Sequence, residues 1–199
     1  MTATFLLIRH AAHIHLDRIF SGRMPAVPLS DVGRAQAQRL ATSLSSEPID
    51  RIIASPLNRT RETAQAIGDA RGAPVETDPA LLEIDLGDWT GRTLDGFGDD
   101  PEWRAWNTAR GTARIPGGET MAEATGRIVG LLDRLAREPA DATIAVVSHS
   151  DMIRGAVAHV LGLPLDHLLR FDIHPASVTR VVWGDWGAKL MSLNERGGA

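Results

Sequence analysis

An apolar run that ends in a basic residue and a histidine decides the fold of this chain: residues 6–10 are LLIRH. A second run of this kind, IAVVSH, occupies residues 144–149. Short apolar runs of this length predict buried strands. In open α/β sheets, ligands bind outside the carboxyl ends of the strands. The two terminal histidines, His10 and His149, therefore predict one functional site that is built from two strand ends.

Strand and helix patterns alternate along the rest of the chain, which is typical of α/β proteins. Ser30 is predicted as a helix N-cap, and Thr120 with Glu123 matches a capping box. Residues 184–187, GDWG, predict a hairpin turn between the last two strands. The predicted strands are 4–8, 49–54, 74–76, 144–147, 177–183 and 190–193, and the predicted helices are 31–45, 56–71, 101–108, 121–137 and 152–161.

These elements predict a three-layer α/β sandwich, in which helices flank a mainly parallel central sheet with one antiparallel edge strand. A chain of 199 residues is expected to form a single domain over 1–199. The irregular stretch at about 89–118 is expected to act as a lid-like segment of that domain.

Composition excludes several classes of function. The chain has no cysteine, which rules out disulfides and thiolate chemistry. A net charge of −4 gives no general attraction to nucleic acid or anionic lipid, so neither is expected as a partner. The first apolar stretch is too short for a signal peptide or a membrane span, so a cytoplasmic protein is expected.

Three polar motifs follow predicted strands and should meet at one edge of the sheet. They are Arg9-His10, the stretch 55–59 (SPLNR) and the stretch 148–150 (SHS). Arginine forks match the tetrahedral oxygens of phosphate, and the helix after His149 would direct free N–H groups at the same anion. The sequence therefore predicts a small cationic pocket for a phosphate group.

Five motifs, in order, resemble those of the histidine phosphatase superfamily, the phosphoglycerate mutase-like phosphatases. They are RHA at 9–11, SPLNRTRETA at 55–64, LLEIDLGDWTG at 81–91, PGGET at 116–120 and VSHS at 147–150. The stretch 28–37, PLSDVGRAQA, is similar to the entry into the first helix of that family. Each motif alone is weak, but five in the family's order are specific.

This resemblance implies a mechanism. His10 would attack phosphorus and form a phosphohistidine, while Arg9, Arg59 and His149 would hold the phosphate oxygens. Glu83 would protonate the leaving alkoxide and then take a proton from the attacking water. The family chemistry needs no metal, and no cofactor is expected.

Four further residues are candidates for contacts with phosphate or substrate: His13, Ser21, Arg23 and Ser150. A metal site formed by His10, His13 and His15 is an alternative, although no pair of carboxylates accompanies these histidines.

The chain departs from the family pattern just after its first motif. The family commonly has Gly after Arg-His, then Glu-Thr/Ser and a nearby Asn. Here Ala11, Ala12, His13 and, without gaps, Leu16 occupy those places. The loss of the Asn removes one phosphate donor and leaves the identity of the substrate open.

The sequence thus favours a metal-independent phosphomonoesterase, of the histidine acid phosphatase type, that acts on a small phosphorylated metabolite. The alternatives are a phosphomutase with the same intermediate, a non-catalytic module that binds phosphate esters, and a phosphohistidine phosphatase that acts on proteins. The physiological substrate and the oligomeric state, with a homodimer among the options, stay open.

Overall fold

The computed structural model describes residues 2–138 and 141–196, and six strands in these ranges form one sheet. The strands are β1 (Thr2–Arg9), β2 (Arg51–Ala54), β3 (Val75–Thr77), β4 (Thr143–Ser148), β5 (Ser177–Gly184) and β6 (Gly187–Arg196). Their order across the sheet is β3-β2-β4-β1-β5-β6.

Strands β1 to β4 are mutually parallel, and β5 runs antiparallel to β1. The predicted mainly parallel sheet is therefore confirmed, but the antiparallel strand does not lie at the edge. The two-residue turn at Asp185 and Trp186 pairs β6 with one side of β5, whose other side is already bonded to β1. The last strand of the hairpin consequently forms the edge.

Helices cover both faces of the sheet, which confirms the predicted three layers. Side chains alternate along β1, so Leu6 and Ile8 join one core cluster while Phe5 and Leu7 join the other. Leu40 and Ile67 belong to the first cluster. The helices on that face are α1 (Asp31–Ser43) and α2 (Asn58–Arg71), and those on the other face are α4 (Met121–Leu135) and α5 (Ser150–Leu161).

The predicted caps of two helices are present. The Ser30 side chain accepts a hydrogen bond from the N–H of Gly33, and Thr120 and Glu123 form a complete capping box. The starts of α2 and α5 differ from the predictions by two residues in opposite directions. Extended backbone at Leu57 delays α2 to residue 58, whereas extended backbone at His149 lets α5 begin immediately after it.

Gly33 brings α1 against the loop that follows the first histidine. A Cβ at this position would lie 1.8 Å from the carbonyl oxygen of Ala12, so no larger residue fits without a backbone shift. The same carbonyl accepts hydrogen bonds from the N–H of Ser30, at 3.0 Å, and from its hydroxyl, at 3.1 Å. The start of α1 therefore fixes the chain two residues beyond His10.

The stretch at 89–118 contains α3 (Pro101–Thr108), at the predicted bounds, and is held by aromatic packing. Phe97 stacks on Trp103 with ring centroids 4.5 Å apart, and Trp103 also meets Trp89 at 5.4 Å. Phe20, from the loop after β1, contacts Phe97 at 5.1 Å. Aromatic pairs of this kind are worth about 0.5–1.5 kcal/mol each beyond their burial. None of the helices in the described ranges has the length and apolarity required to cross a membrane.

Candidate active site

The register of the sheet brings the three polar motifs together. Arg9 at the end of β1 lies opposite Ser148 at the end of β4, and the N–H of Ser55 donates to the carbonyl of Val147 at 2.9 Å. The strands are parallel, so all three chains leave the sheet at the same edge. The three polar motifs therefore meet at one edge of the sheet, and a functional site there stays a prediction.

His10 is buried and held in one tautomer. Its Nδ1 lies 2.8 Å from the carbonyl oxygen of Ala11, and a carbonyl can only accept, so Nδ1 carries the proton. The lone pair is then on Nε2. Burial, followed by the charges of Arg59 and Arg9, holds the pKa of His10 well below its usual range. A neutral ring with a free Nε2 lone pair is the form that attacks phosphorus.

Two arginines bring unpaired donors to the same place. Arg9 donates from Nη1 to the carbonyl of Ile173 at 2.6 Å, and Arg59 donates from Nη2 to the carbonyl of Gly22 at 2.7 Å. Among the described residues, nothing pairs with the buried Nε of Arg9 or with the buried Nε and Nη1 of Arg59. Burial lowers the pKa of Arg59 to about 10, so it stays a cation at neutral pH. Unpaired buried donors are costly, and an anion with several oxygens would satisfy them.

His149 lies beneath the site rather than in its wall. It is fully buried, its ring centroid is 5.2 Å from that of His10, and its Nδ1 is 3.2 Å from Nη2 of Arg59. Because a guanidinium only donates, Nδ1 accepts and Nε2 carries the proton, which it donates to Oγ of Ser55 at 2.9 Å. Burial and the charge of Arg59 hold the pKa of His149 well below its usual range. Ser55 was not among the predicted site residues, although it opens the motif at 55–64.

Glu83 supplies a carboxyl group to a cavity that Arg9, His10 and Arg59 also line. Its Oε1 accepts from the N–H of Ile84 at 3.0 Å. Burial, followed by the negative charge of Asp151, raises the pKa of Glu83 to about 7, against the opposing effect of Arg59. A carboxyl with this pKa is protonated in a substantial fraction near neutral pH and can act as an acid or a base.

Two arginines hold the backbone of Glu83. Arg23 donates to its carbonyl from Nε at 2.9 Å, and Arg127 donates to the same oxygen from Nη2 at 3.4 Å. Both guanidinium groups also bind the Glu119 carboxylate at 2.9 Å, and that carboxylate accepts from the N–H of Asp85. We call Arg23, Glu119 and Arg127 the arginine clamp.

The clamp corrects the prediction for Arg23, because this side chain does not line the cavity. It supports the loop that carries Glu83 instead. Glu119 belongs to the PGGET motif at 116–120, which could have indicated a role near the site. Arg127 lies on α4 outside every motif, so no sequence pattern selects it.

The cavity has a volume of about 190 Å³, and its lining includes Arg9, His10, His13, Arg59 and Glu83. The sequence profile of the histidine phosphatase superfamily (branch 1) matches residues 5–196. The chain belongs to this superfamily.

Similar proteins include both mutases and phosphatases of the superfamily. The chain is 34% identical over 179 residues to a Yersinia pestis protein named "Probable phosphoglycerate mutase GpmB", and the match covers 88% of this chain and 82% of that protein. The α-ribazole phosphatase of Shigella flexneri has a TM-score of 0.85 and 28% identity, with 100% of this chain and 98% of the other covered. A mycobacterial glucosyl-3-phosphoglycerate phosphatase has a TM-score of 0.84 and 26% identity, with 98% and 99% covered.

The remaining predicted residues of this superfamily member divide into two groups. His13 and Ser21 line the cavity, whereas Ser150 is the first residue of α5 and lies outside the lining. The Nδ1 of His13 accepts from the N–H of His15 at 3.2 Å, which leaves a proton on Nε2 for donation to an anion. Burial and the two site arginines lower the pKa of His13 to about 3.

The departures from the superfamily pattern have different consequences. Ala11 is not among the described residues with positive φ, so a side chain at the usual glycine position introduces no strain. Its N–H donates to Oγ1 of Thr63 at 3.0 Å. Leu16 lines the cavity, where it contributes an apolar surface. No group of three or more His, Asp or Glu side chains within 2–138 and 141–196 is arranged to hold a metal ion.

Proposed function

We propose that this enzyme is a metal-independent phosphomonoesterase of the histidine acid phosphatase type, which hydrolyses a small phosphorylated metabolite. The observation that carries the proposal is the state of His10: neutral, with Nε2 free and with two arginines beside it. A module that only binds phosphate esters needs no nucleophile in this tautomer and no carboxyl group with a raised pKa.

The first step transfers the phosphoryl group to His10. Nε2 forms a bond to phosphorus while the bond between phosphorus and the ester oxygen breaks. The protonated carboxyl of Glu83 gives its proton to the departing alkoxide. Arg9 and Arg59 stabilise the charge on the oxygens of the transferring group, which is the main catalytic requirement of phosphoryl transfer.

The second step returns the enzyme to its starting state. A water molecule attacks phosphorus and gives a proton to the Glu83 carboxylate, while the bond between phosphorus and Nε2 breaks. Inorganic phosphate leaves, and both side chains recover their initial protonation. His149 acts through its contacts with Arg59 and His10, and His13 is placed to donate a hydrogen bond to a phosphate oxygen.

A phosphomutase is the second candidate, and the 34% identity to the Yersinia pestis protein favours it. Such an enzyme returns the phosphoryl group to the substrate instead of to water. The likeness to two phosphatases over nearly whole chains supports hydrolysis.

Hydrolysis of p-nitrophenyl phosphate in EDTA between pH 5 and 8 tests the proposal, with wild type and His10→Ala compared. We expect release of phosphate by the wild type only. Metal-dependent activity, or equal activity of the variant, contradicts the proposal. Conversion of 3-phosphoglycerate to its 2-isomer without release of phosphate identifies a mutase.

A further inference from the structure

The cavity that holds the phosphate-binding residues also has an apolar wall of six side chains. Its six residues come from the loop after β1, the stretch after Glu83 and the turn at Leu94–Phe97. They are Leu16, Ile19, Phe20, Ile84, Leu86 and Leu94. Because this wall lies in the same cavity as His10, it is available to the leaving part of a bound ester.

Backbone hydrogen bonds build this wall before any substrate arrives. Phe20 donates to the carbonyl of Arg92 at 2.9 Å and accepts from the N–H of Gly91 at 2.8 Å. The N–H of Leu94 donates to the carbonyl of Arg18 at 3.2 Å. The segment at 89–118 is thus joined to the loop after β1, and the aromatic packing at Phe20 fixes the junction. A preformed wall gains affinity because less ordering is needed on binding.

The charges around the wall disfavour a second anionic group on the substrate. Apart from Arg9 and Arg59, which face the phosphate, the charged residues of the described lining are Arg18 and the acidic residues Asp17, Glu83 and Asp151. Arg18 is offset by the adjacent Asp17, and Glu83 is protonated when the ester binds. Asp151 pairs with Arg154 at 3.3 Å and with Arg110 at 3.7 Å, and Arg154 also pairs with Asp172 at 3.4 Å, so these four charges balance. A carboxylate or second phosphate on the leaving group would therefore lose hydration without meeting a net positive surface.

We infer that the leaving group of the substrate is an uncharged alcohol with a compact apolar body, such as a short alkyl or aryl group. This inference rests on the proposed phosphatase activity and narrows its substrate class. The volume of about 190 Å³ limits the size, since pockets for drug-sized ligands are about 300–1,000 Å³. Leu94 lines the cavity while 46% of its surface stays exposed, so it can cover the outer end of such a group.

A series of alkyl phosphates tests the inference, because the basicity of the alcohol hardly changes along it. The value of kcat/KM should rise from ethyl to n-pentyl phosphate by about fourfold for each buried CH₂, the equivalent of ~0.8 kcal/mol. Glycerol 1-phosphate and 3-phosphoglycerate should be poorer substrates than n-pentyl phosphate by at least tenfold.

Leu94→Ser should flatten this series. Leu169→Ser, which changes a similarly exposed leucine outside the cavity, should leave the series unchanged. A flat wild-type series, or a preference for 3-phosphoglycerate, overturns the inference while the phosphatase proposal stands. Absence of phosphate release from every ester, p-nitrophenyl phosphate included, overturns both.

Discussion

The proposed nucleophile, His10, and the proposed proton donor, Glu83, are held by different means. His10 and His149 follow directly from adjacent parallel strands, and the hydrogen bonds of the sheet set their separation. Glu83 lies in a stretch without regular structure, where the arginine clamp fixes its backbone. Sheet geometry therefore positions His10, the group proposed to bond to phosphorus. Hydrogen bonds and ion pairs between residues far apart in sequence position Glu83, the group proposed to move a proton.

Removal of the nucleophile gives the largest expected effect on the sheet-held half. His10→Ala should lower kcat by about 10³-fold or more, because no other described group in the cavity is a neutral imidazole with a free Nε2. The acid-labile phosphohistidine that rapid quenching detects on the wild-type enzyme should be absent from the variant. His167→Ala, outside the cavity, should retain both. Normal turnover by His10→Ala disproves the assignment of the nucleophile.

Replacement of the proton donor should separate the two steps. With Glu83→Gln, phosphorylation of the enzyme by alkyl phosphates should slow by about 10²–10⁴-fold, the usual contribution of general acid catalysis. Phosphorylation by p-nitrophenyl phosphate should change little, since nitrophenolate leaves without a proton. The time course of nitrophenol release should show a fast burst followed by slow turnover, because the second step also needs Glu83. Equal slowing of both first steps argues against Glu83 as the acid.

The pH dependence should locate the same carboxyl group. Because the pKa of Glu83 is raised to about 7, its acid form is present below that pH and is lost above it. Rapid-quench rates of phosphorylation by alkyl phosphates should therefore fall as pH rises through about 7, and the rates with p-nitrophenyl phosphate should not. An alkyl profile that stays level from pH 6 to 8 would show that another group protonates the alkoxide.

Weakening the clamp should affect the acid but not the nucleophile. Glu119→Gln removes the charge that both arginines share, so the loop at Glu83 should lose its fixed position. We expect kcat for alkyl phosphates to fall by about 10- to 100-fold, the scale of a 1 Å misplacement, with little change in KM. The midpoint pH of the rate profile with alkyl phosphates should shift as well. The burst of nitrophenol from p-nitrophenyl phosphate should not change.

Glu138→Gln is the matched control for the clamp, because Glu138 pairs with Arg51 far from the cavity. Its kinetics should equal those of the wild type. If Glu119→Gln changes only the free energy of unfolding, the clamp has a structural role alone.

The smallest expected effects concern stability rather than the reaction. Thr120→Ala removes the capping box of α4 and should lower the free energy of unfolding by about 1 kcal/mol, as measured in urea. We expect kcat to stay within twofold, since Arg127 lies well inside the helix. Asp99→Asn breaks an exposed ion pair with Arg104 and should cost less than about 0.5 kcal/mol. A loss of activity with Thr120→Ala would show that the clamp depends on the helix end.

The sequence alone determined the layered fold and the meeting of the strand-end motifs. Apolar runs, caps and alternation of elements are local patterns, and parallel strands bring their carboxyl ends to one edge. The position of β5 inside the sheet was not predictable, because a hairpin pattern does not state which of its strands pairs with β1. The starts of α2 and α5 also depended on backbone angles at Leu57 and His149 rather than on residue type.

Only the tertiary structure decided how the predicted residues divide their work. Arg23 had the charge of a phosphate ligand, yet distant Glu83, Asp85 and Glu119 surround its guanidinium and turn it into a support. The tautomer of His149 follows from its hydrogen bonds with Arg59 and Ser55, which are distant from it in sequence. Residue types set what chemistry is available, and contacts between residues far apart in sequence set which group performs it.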